Sequence, residues 1–136
     1  MQMSVARHIT LARKQIMSVS AADFLLSAEN LLAQGRVIDW RNAASRAYYS
    51  AFHYCTKISD ELDKVKTNSS GMHRSFIESF TGNASLKVKA IGYMLQQCYD
   101  TRLIADYKLN EAFSQNVAKA TVQQVRAIFI KVDELT

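Results

Sequence analysis

The feature that most constrains the fold of this chain is the complete absence of proline, together with wide spacing of its glycines. Its four glycines are Gly35, Gly71, Gly82 and Gly92. Sandwiches and barrels of β-strands need many tight turns, and such turns usually contain glycine or proline. The abundant Ala, Leu, Gln and Lys residues instead favour long helices joined by few loops. The scattered glycines also exclude the glycine-rich phosphate loops of Rossmann and P-loop proteins.

The length and the cysteine content bound the class of protein. A chain of 136 residues has the size of one domain. No apolar run approaches the roughly 20 residues that a transmembrane helix needs, and the first residues do not resemble a secretory signal. Cys55 and Cys98 lie far apart and outside any CxxC motif. We therefore expect a cytoplasmic protein with no membrane association and with two reduced, buried cysteines.

The net charge of +5 is unevenly distributed. Residues 1–17 contain Arg7, Arg13 and Lys14 and no acidic residue, whereas the rest of the chain is nearly balanced. We therefore divide the chain into a basic N-terminal arm or helix at residues 1–19 and a helical body at residues 20–136. A basic arm can contact phosphates, and the competing interpretation is an ordinary solvated helix face.

Apolar residues recur at intervals of three and four, which is the period of an amphipathic helix. The pattern predicts six helical segments: residues 4–16, Ser20 to Gly35, a long one capped by Asp39, Met72 to Phe80, Ser85 to about Tyr107, and a last one from near Asn110. The core face of the long third segment is expected to contain Ala44, Tyr48, Ala51, Cys55, Ile58 and Leu62. No segment shows strand-like alternation, so we expect an all-α fold, an antiparallel up-and-down bundle of four to five helices.

The segment SRAYYSAFHYC, residues 45–55, is unusually rich in aromatic residues. At spacings of three and four, Arg46, Tyr49 and His53 share one face of the predicted helix. A cation, a phenol and an imidazole in one row can hold a phosphate and move a proton. The alternative is that Arg46 pairs with an acid on a neighbouring helix while Tyr49 and His53 pack at an interface.

A second polar group lies later in the chain, in the segment TRLIADY at residues 101–107. Arg102 and Asp106 are four residues apart and can form an ion pair on one helix face. His73 begins the short helix that follows a polar loop. The histidines show no HxxxH or HExxH spacing, so we expect no metal site, and nothing in the sequence indicates a cofactor.

Taken together, these segments resemble a known family. The motif SRAYYSAFH, a histidine after a polar loop and the pattern R-x3-DY occur in the order found in the HEPN superfamily (higher eukaryotes and prokaryotes nucleotide-binding domain). The closest resemblance is to its small prokaryotic members, and it covers residues 20–135. It implies a homodimeric helical bundle that works with a minimal nucleotidyltransferase in a toxin–antitoxin or phage-defence pair. The expected ligand-binding residues are Arg46, Tyr49, His53, His73, Arg102, Asp106 and Tyr107.

The sequence departs from the pattern of the superfamily's active members. Those members are metal-independent RNases in which a histidine follows an arginine by four to six residues late in the chain. No histidine follows Arg102 here, and the pair Arg46 and His53 lies on an earlier helix. We therefore expect a module that binds a nucleotide or RNA phosphate. One alternative is an RNase toxin that uses Arg46 with His53, or Arg102 with His53 or His73 brought close by folding. The other is a structural adaptor bundle without a ligand.

Overall fold

The computed structural model describes residues 18–62 and 71–136, and within them the chain is helical with no β-strand. The helices are α1 (Ala21–Leu32), α2 (Val37–Ser59), α3 (Met72–Thr81), α4 (Leu86–Tyr107) and α5 (Gln115–Glu134). The all-α helical bundle expected from the sequence is confirmed. The expected helix at residues 4–16, the basic arm up to residue 17 and the polar stretch at residues 66–70 lie outside the described residues.

Helix α2 is the central element, since it packs against α1, α4 and α5. Its first turns contact the C-terminal end of α4 through Arg41. Its last turns contact the C-terminal end of α5, where the Tyr54 hydroxyl donates a hydrogen bond to Asp133. Helix α2 therefore runs antiparallel to α4 and parallel to α5, which is the alternation of an up-and-down bundle.

Small buried residues allow these helices to approach α2 closely. Ala43, Ala44, Ala47 and Ala51 have no exposed surface, and a stripe of small side chains brings helix axes together. The core positions expected within α2 are indeed buried; they are Ala44, Tyr48, Ala51, Cys55 and Ile58. Leu62 lies beyond the end of the helix but still packs against the core. Both cysteines are free and buried, as expected.

Serine residues cap α1 and α4 at the positions where the sequence pattern places the beginnings of these segments. Ser20 and Asp23 form a capping box at α1, in which the Ser20 amide donates to the Asp23 carboxylate at 2.8 Å and the Asp23 amide donates to the Ser20 hydroxyl at 3.3 Å. Ser85 caps α4 by accepting from the amide of Val88. Helix α1 ends at Leu32, before Gly35, with Ala33 at its C-terminal cap.

Two expected helix starts are wrong. Helix α2 already begins at Val37, so Asp39 lies inside its first turn, where its carboxylate favours the helix dipole and accepts from Arg36 Nε at 2.9 Å. Helix α5 begins at Gln115 and not near Asn110. The Ser114 hydroxyl accepts from the Val117 amide at 3.2 Å, and this cap fixes the later start.

A buried arginine ends helix α4. The Arg41 guanidinium donates to the carbonyl oxygens of Ile104 and Ala105, both at 3.0 Å, and also to those of Lys108 and Glu111. The last carbonyls of a helix lack partners within the helix, and a cation at that end also favours the helix dipole. Arg41 therefore joins the beginning of α2 to the end of α4.

The short helix α3 is fixed by an unusually close contact with α4. A Cβ atom placed on Gly92 would lie 2.6 Å from the amide nitrogen of Thr81 and 2.8 Å from Cβ of Phe80. Only a glycine leaves room for the end of α3 at this point. At its other end α3 follows Gly71, whose φ of 97° is in the left-handed region that favours glycine.

The contact at Gly92 generates a stability prediction. Alanine in a helix is normally favoured over glycine by about 0.5–1 kcal/mol. We expect Gly92→Ala to be destabilising instead, by about 1–3 kcal/mol in urea unfolding, because the new methyl group meets backbone atoms of α3. Gly35→Ala is the matched control, since a Cβ there meets nothing within 4 Å. Equal stability of the two variants would contradict the close contact.

Candidate functional site

Polar and aromatic side chains from three helices meet on one side of α2. We call this group the Arg102–His73 cluster. Its members are Ser45, Tyr48 and Tyr49 of α2, His73 of α3, and Tyr99, Arg102, Asp106 and Tyr107 of α4.

The guanidinium of Arg102 is nearly buried and is held by two hydrogen bonds. Nε donates to Asp106 Oδ2 and Nη2 donates to the Tyr49 hydroxyl, each at 2.8 Å. The ring of Tyr49 and the exposed ring of Tyr107 lie 5.1 and 5.5 Å from the guanidinium carbon. Ser45 in turn donates to the same Asp106 oxygen at 3.0 Å. The orientation of the guanidinium is therefore determined by both α2 and α4.

One nitrogen of this guanidinium remains available. Within the described part of the chain Nη1 of Arg102 has no hydrogen-bond partner, and no buried side-chain polar atom is unpaired. Burial alone disfavours the charged form of Arg102, but Tyr49 and Asp106 more than compensate, and its pKa lies above the ordinary value. The group is a fixed cation with one accessible edge.

His73 is oriented by a buried phenol. The hydroxyl of the fully buried Tyr48 lies 2.7 Å from His73 Nδ1. Burial raises the pKa of Tyr48, so its hydroxyl keeps its proton, and we assign this hydroxyl as the donor to Nδ1 because it has no other hydrogen-bond acceptor among the described residues. Partial burial is the largest cause that lowers the pKa of His73, and the charges of Arg102 and His53 lower it further. The ring is therefore neutral near neutral pH, with its proton on Nε2.

Tyr49 connects the histidine to the arginine. Its ring centroid lies 5.7 Å from that of His73, and its hydroxyl accepts the hydrogen bond from Arg102. Phe52 and Tyr99 also flank His73, at 5.0 and 5.7 Å between ring centroids. A neutral imidazole with an N–H and a guanidinium with a free edge thus lie on either side of one phenol. Both groups are hydrogen-bond donors suited to phosphate oxygens.

The structure joins five of the seven residues expected to bind a ligand and leaves two apart. Those in the cluster are Tyr49, His73, Arg102, Asp106 and Tyr107. Arg46 is exposed and forms no ion pair within the described residues, so the expected alternative, a pair with an acid, is not observed. The exposed His53 ring contacts Phe24 and Phe52 instead.

Sequence reasoning missed three members of the cluster. Tyr48 was assigned to the core on its spacing alone, and its burial is confirmed, but a buried tyrosine hydroxyl also needs a hydrogen-bond partner. That requirement was the available signal for the contact with His73. Ser45 and Tyr99 precede Tyr49 and Arg102 by four and three residues, so each shares a helix face with a residue already singled out.

The structure offers little support for other chemistry. The described residues contain no group of histidine, cysteine and acidic side chains that could hold a metal ion. Burial raises the pKa of both Cys55 and Cys98 to about 12, and Cys98 contributes to the shift at Cys55. Protonated, buried thiols are poor nucleophiles, which argues against a Cys–His catalytic pair. None of the described helices is both long and apolar enough to cross a membrane.

Comparison of the chain with models of protein families, with curated proteins and with solved structures finds no match. The fold and the site define the class. The protein is an all-α helical bundle in which an arginine and a histidine are each hydrogen-bonded to a tyrosine of the central helix.

The lowered pKa of His73 generates a prediction on pH. Because the pKa of His73 is lower in the folded state than the ordinary value of about 6.5, the unfolded chain binds more protons as the pH falls. Folding stability is therefore lost as the pH falls below about 6.5. We expect His73→Asn, whose amide oxygen can still accept from Tyr48, to lose less Tm than the wild type between about pH 7 and about pH 5.

The matched control is His53→Asn, which replaces an exposed histidine. Its loss of Tm over the same range should be close to that of the wild type and at most slightly smaller, because the charge of His53 is the smallest of the three causes that lower the pKa of His73. If the Tm of His73→Asn falls as much as that of the wild type, His73 has the same pKa in the folded and unfolded states.

Proposed function

We propose that this chain is a cytoplasmic, homodimeric HEPN-like helical module that binds the phosphate of a nucleotide or RNA. It acts with a nucleotidyltransferase partner in a toxin–antitoxin or defence pair. The observation that carries the ligand part of this proposal is that the guanidinium of Arg102 and the imidazole of His73 both contact Tyr49. The dimer, the partner and the biological role rest on the resemblance of the motifs at residues 45–53, 73 and 102–107.

The geometry allows an anion to bind Arg102 while the existing partners of the guanidinium stay in place. The ion pair between Arg102 and Asp106 is partly buried, and Ser45 also donates to the Asp106 carboxylate, so the carboxylate is held in place from two helices. A phosphate oxygen at Nη1 does not require its displacement, because Nε and Nη2 keep their bonds to Asp106 and Tyr49. Tyr107, which is 68% exposed, lies over the guanidinium and offers a ring for a base to stack on.

The binding proposal predicts a large effect at Arg102. We expect Arg102→Gln to weaken the binding of ATP, measured by calorimetry, by at least tenfold. A hydrogen bond to a charged group contributes about 1.5–3 kcal/mol, and tenfold in Kd corresponds to about 1.4 kcal/mol. Arg126→Gln is the charge-matched control, since Arg126 pairs with Glu29 on the exposed surface between α1 and α5. An unchanged Kd in a folded Arg102→Gln protein would refute the site.

A second function is favoured by the neighbourhood of His73. In a metal-independent RNase one group takes the proton of the ribose 2′-hydroxyl and a cation stabilises the phosphate in the transition state. In the tautomer in which Nδ1–H of His73 donates to the Tyr48 hydroxyl, Nε2 is free to take that proton, and Arg102 supplies the cation. The sequence alternative of an RNase therefore gains His73 as its most suitable histidine.

Cleavage of RNA in the presence of EDTA separates binding from catalysis. The binding proposal expects no cleavage by the purified wild type. Cleavage that is lost in both His73→Asn and Arg102→Gln, and kept in Arg126→Gln, would establish an RNase at the Arg102–His73 cluster. Cleavage that is lost in His53→Asn and kept in His73→Asn would instead favour the pair Arg46 and His53.

A further inference from the structure

The residues that the cluster leaves aside form a second surface. Arg46, His53 and Lys57 are seven and four residues apart along α2, so they lie in one row on the same side of the helix. All three are exposed. We call this row, together with Phe24 of α1, the α2 strip.

The cations of the α2 strip have no acidic partners. Within residues 18–62 and 71–136, neither Arg46 nor Lys57 belongs to an ion pair. The carboxylate of Asp23, which lines the same hollow as Arg46, accepts from the amide and the hydroxyl of Ser20 through Oδ2. The Lys57 ammonium lies 4.0 Å from the centre of the Tyr54 ring. An anionic partner is therefore the complement of this surface.

The strip follows two adjoining hollows beside the beginning of α1. One, of about 220 Å³, is lined by Arg46 and Phe24, and the other, of about 300 Å³, by His53 and Lys57. The rings of Phe24 and His53 are 5.2 Å apart and separate the hollows. Aromatic rings alternating with cations along a groove are typical of surfaces that bind single-stranded nucleic acids.

The length of the row from Arg46 to Lys57 favours a nucleic-acid strand as the ligand over a single phosphate group. Eleven residues of helix separate Arg46 from Lys57, a distance of about 16 Å. That distance corresponds to about five stacked nucleotides of one strand. The strip also adjoins the Arg102–His73 cluster, because Phe52 contacts the rings of both His53 and His73.

We propose that the α2 strip binds the backbone of a single-stranded nucleic acid whose continuation reaches the Arg102–His73 cluster. This inference rests on the proposed function for the cluster itself, and it specifies a strand as the larger ligand. Arg46 and Lys57 contact phosphates about five nucleotides apart, and Phe24 and His53 stack with bases between them.

The test compares a fluorescein-labelled oligouridine of about 12 nucleotides, within the usual range of site sizes, with ATP. The variant is Arg46→Gln with Lys57→Gln, and the charge-matched control is Lys119→Gln with Lys131→Gln on the exposed side of α5. We expect the strip variant to bind the oligonucleotide at least about tenfold more weakly at about 0.1 M salt. Its plot of log K against log salt should be shallower by about 1.4, because two phosphate contacts are lost. Its affinity for ATP should equal that of the wild type.

The outcomes separate this proposal from the proposed function. Equal oligonucleotide affinity and salt dependence in the strip variant and the control would overturn the strip. Wild-type protein that binds ATP but binds the oligonucleotide no more tightly would also overturn it, while leaving the function of the cluster intact. Loss of oligonucleotide binding in the strip variant, with no effect of Arg102→Gln on either ligand, would support the strip and refute the cluster. Absence of binding to either probe would overturn both. A deoxythymidine oligonucleotide of equal length distinguishes RNA from DNA as the strand.

Discussion

The position of His73 depends on the contact between α3 and Gly92. Helix α3 has only ten residues, and isolated helices of that length are marginal in water, so its placement comes from packing. Ile77 and Phe80 are fully buried, and the last turn approaches α4 more closely than any side chain at position 92 would allow. With this end fixed, the first turn of α3 presents the histidine to the Tyr48 hydroxyl. Without this placement of α3, the cluster would contain its side chains from α2 and α4 but no imidazole.

The electrostatic design of the cluster balances one buried cation with a carboxylate and a phenol. An unpaired charge in this position would be costly, so Asp106 and Tyr49 are needed for Arg102 to remain inside the bundle. The same pairing reduces the net positive charge at the site. A phosphate is then attracted by directed hydrogen bonds, from the guanidinium and from the Nε2–H of His73, more than by a net positive charge. Excess positive charge is found instead on the exposed α2 strip.

Most of the fold could be predicted from the sequence because helical periodicity records which positions are buried. The row from Ala44 to Ile58 was correct throughout, whereas the beginnings of α2 and α5 were wrong because capping depends on local competition among polar residues. The site was predictable only in part. Spacing along one helix placed Tyr49 with Arg46 and His53, but the direction of the Tyr49 hydroxyl is set by Arg102, which is 53 residues away. Contacts between helices of this kind have no signal in the periodicity.

The four carbonyl bonds of Arg41 have a consequence for ligand binding. The final turn of a helix normally frays, and here that turn carries Asp106 and Tyr107. Because the carbonyls of this turn and of the residues after it are tied to a buried side chain of α2, the turn keeps its shape in the absence of any ligand. Little conformational entropy is then lost when a partner molecule arrives, so that even a small number of contacts can give useful affinity. The buried arginine that ends the helix thus preorganises one wall of the site without touching what binds there.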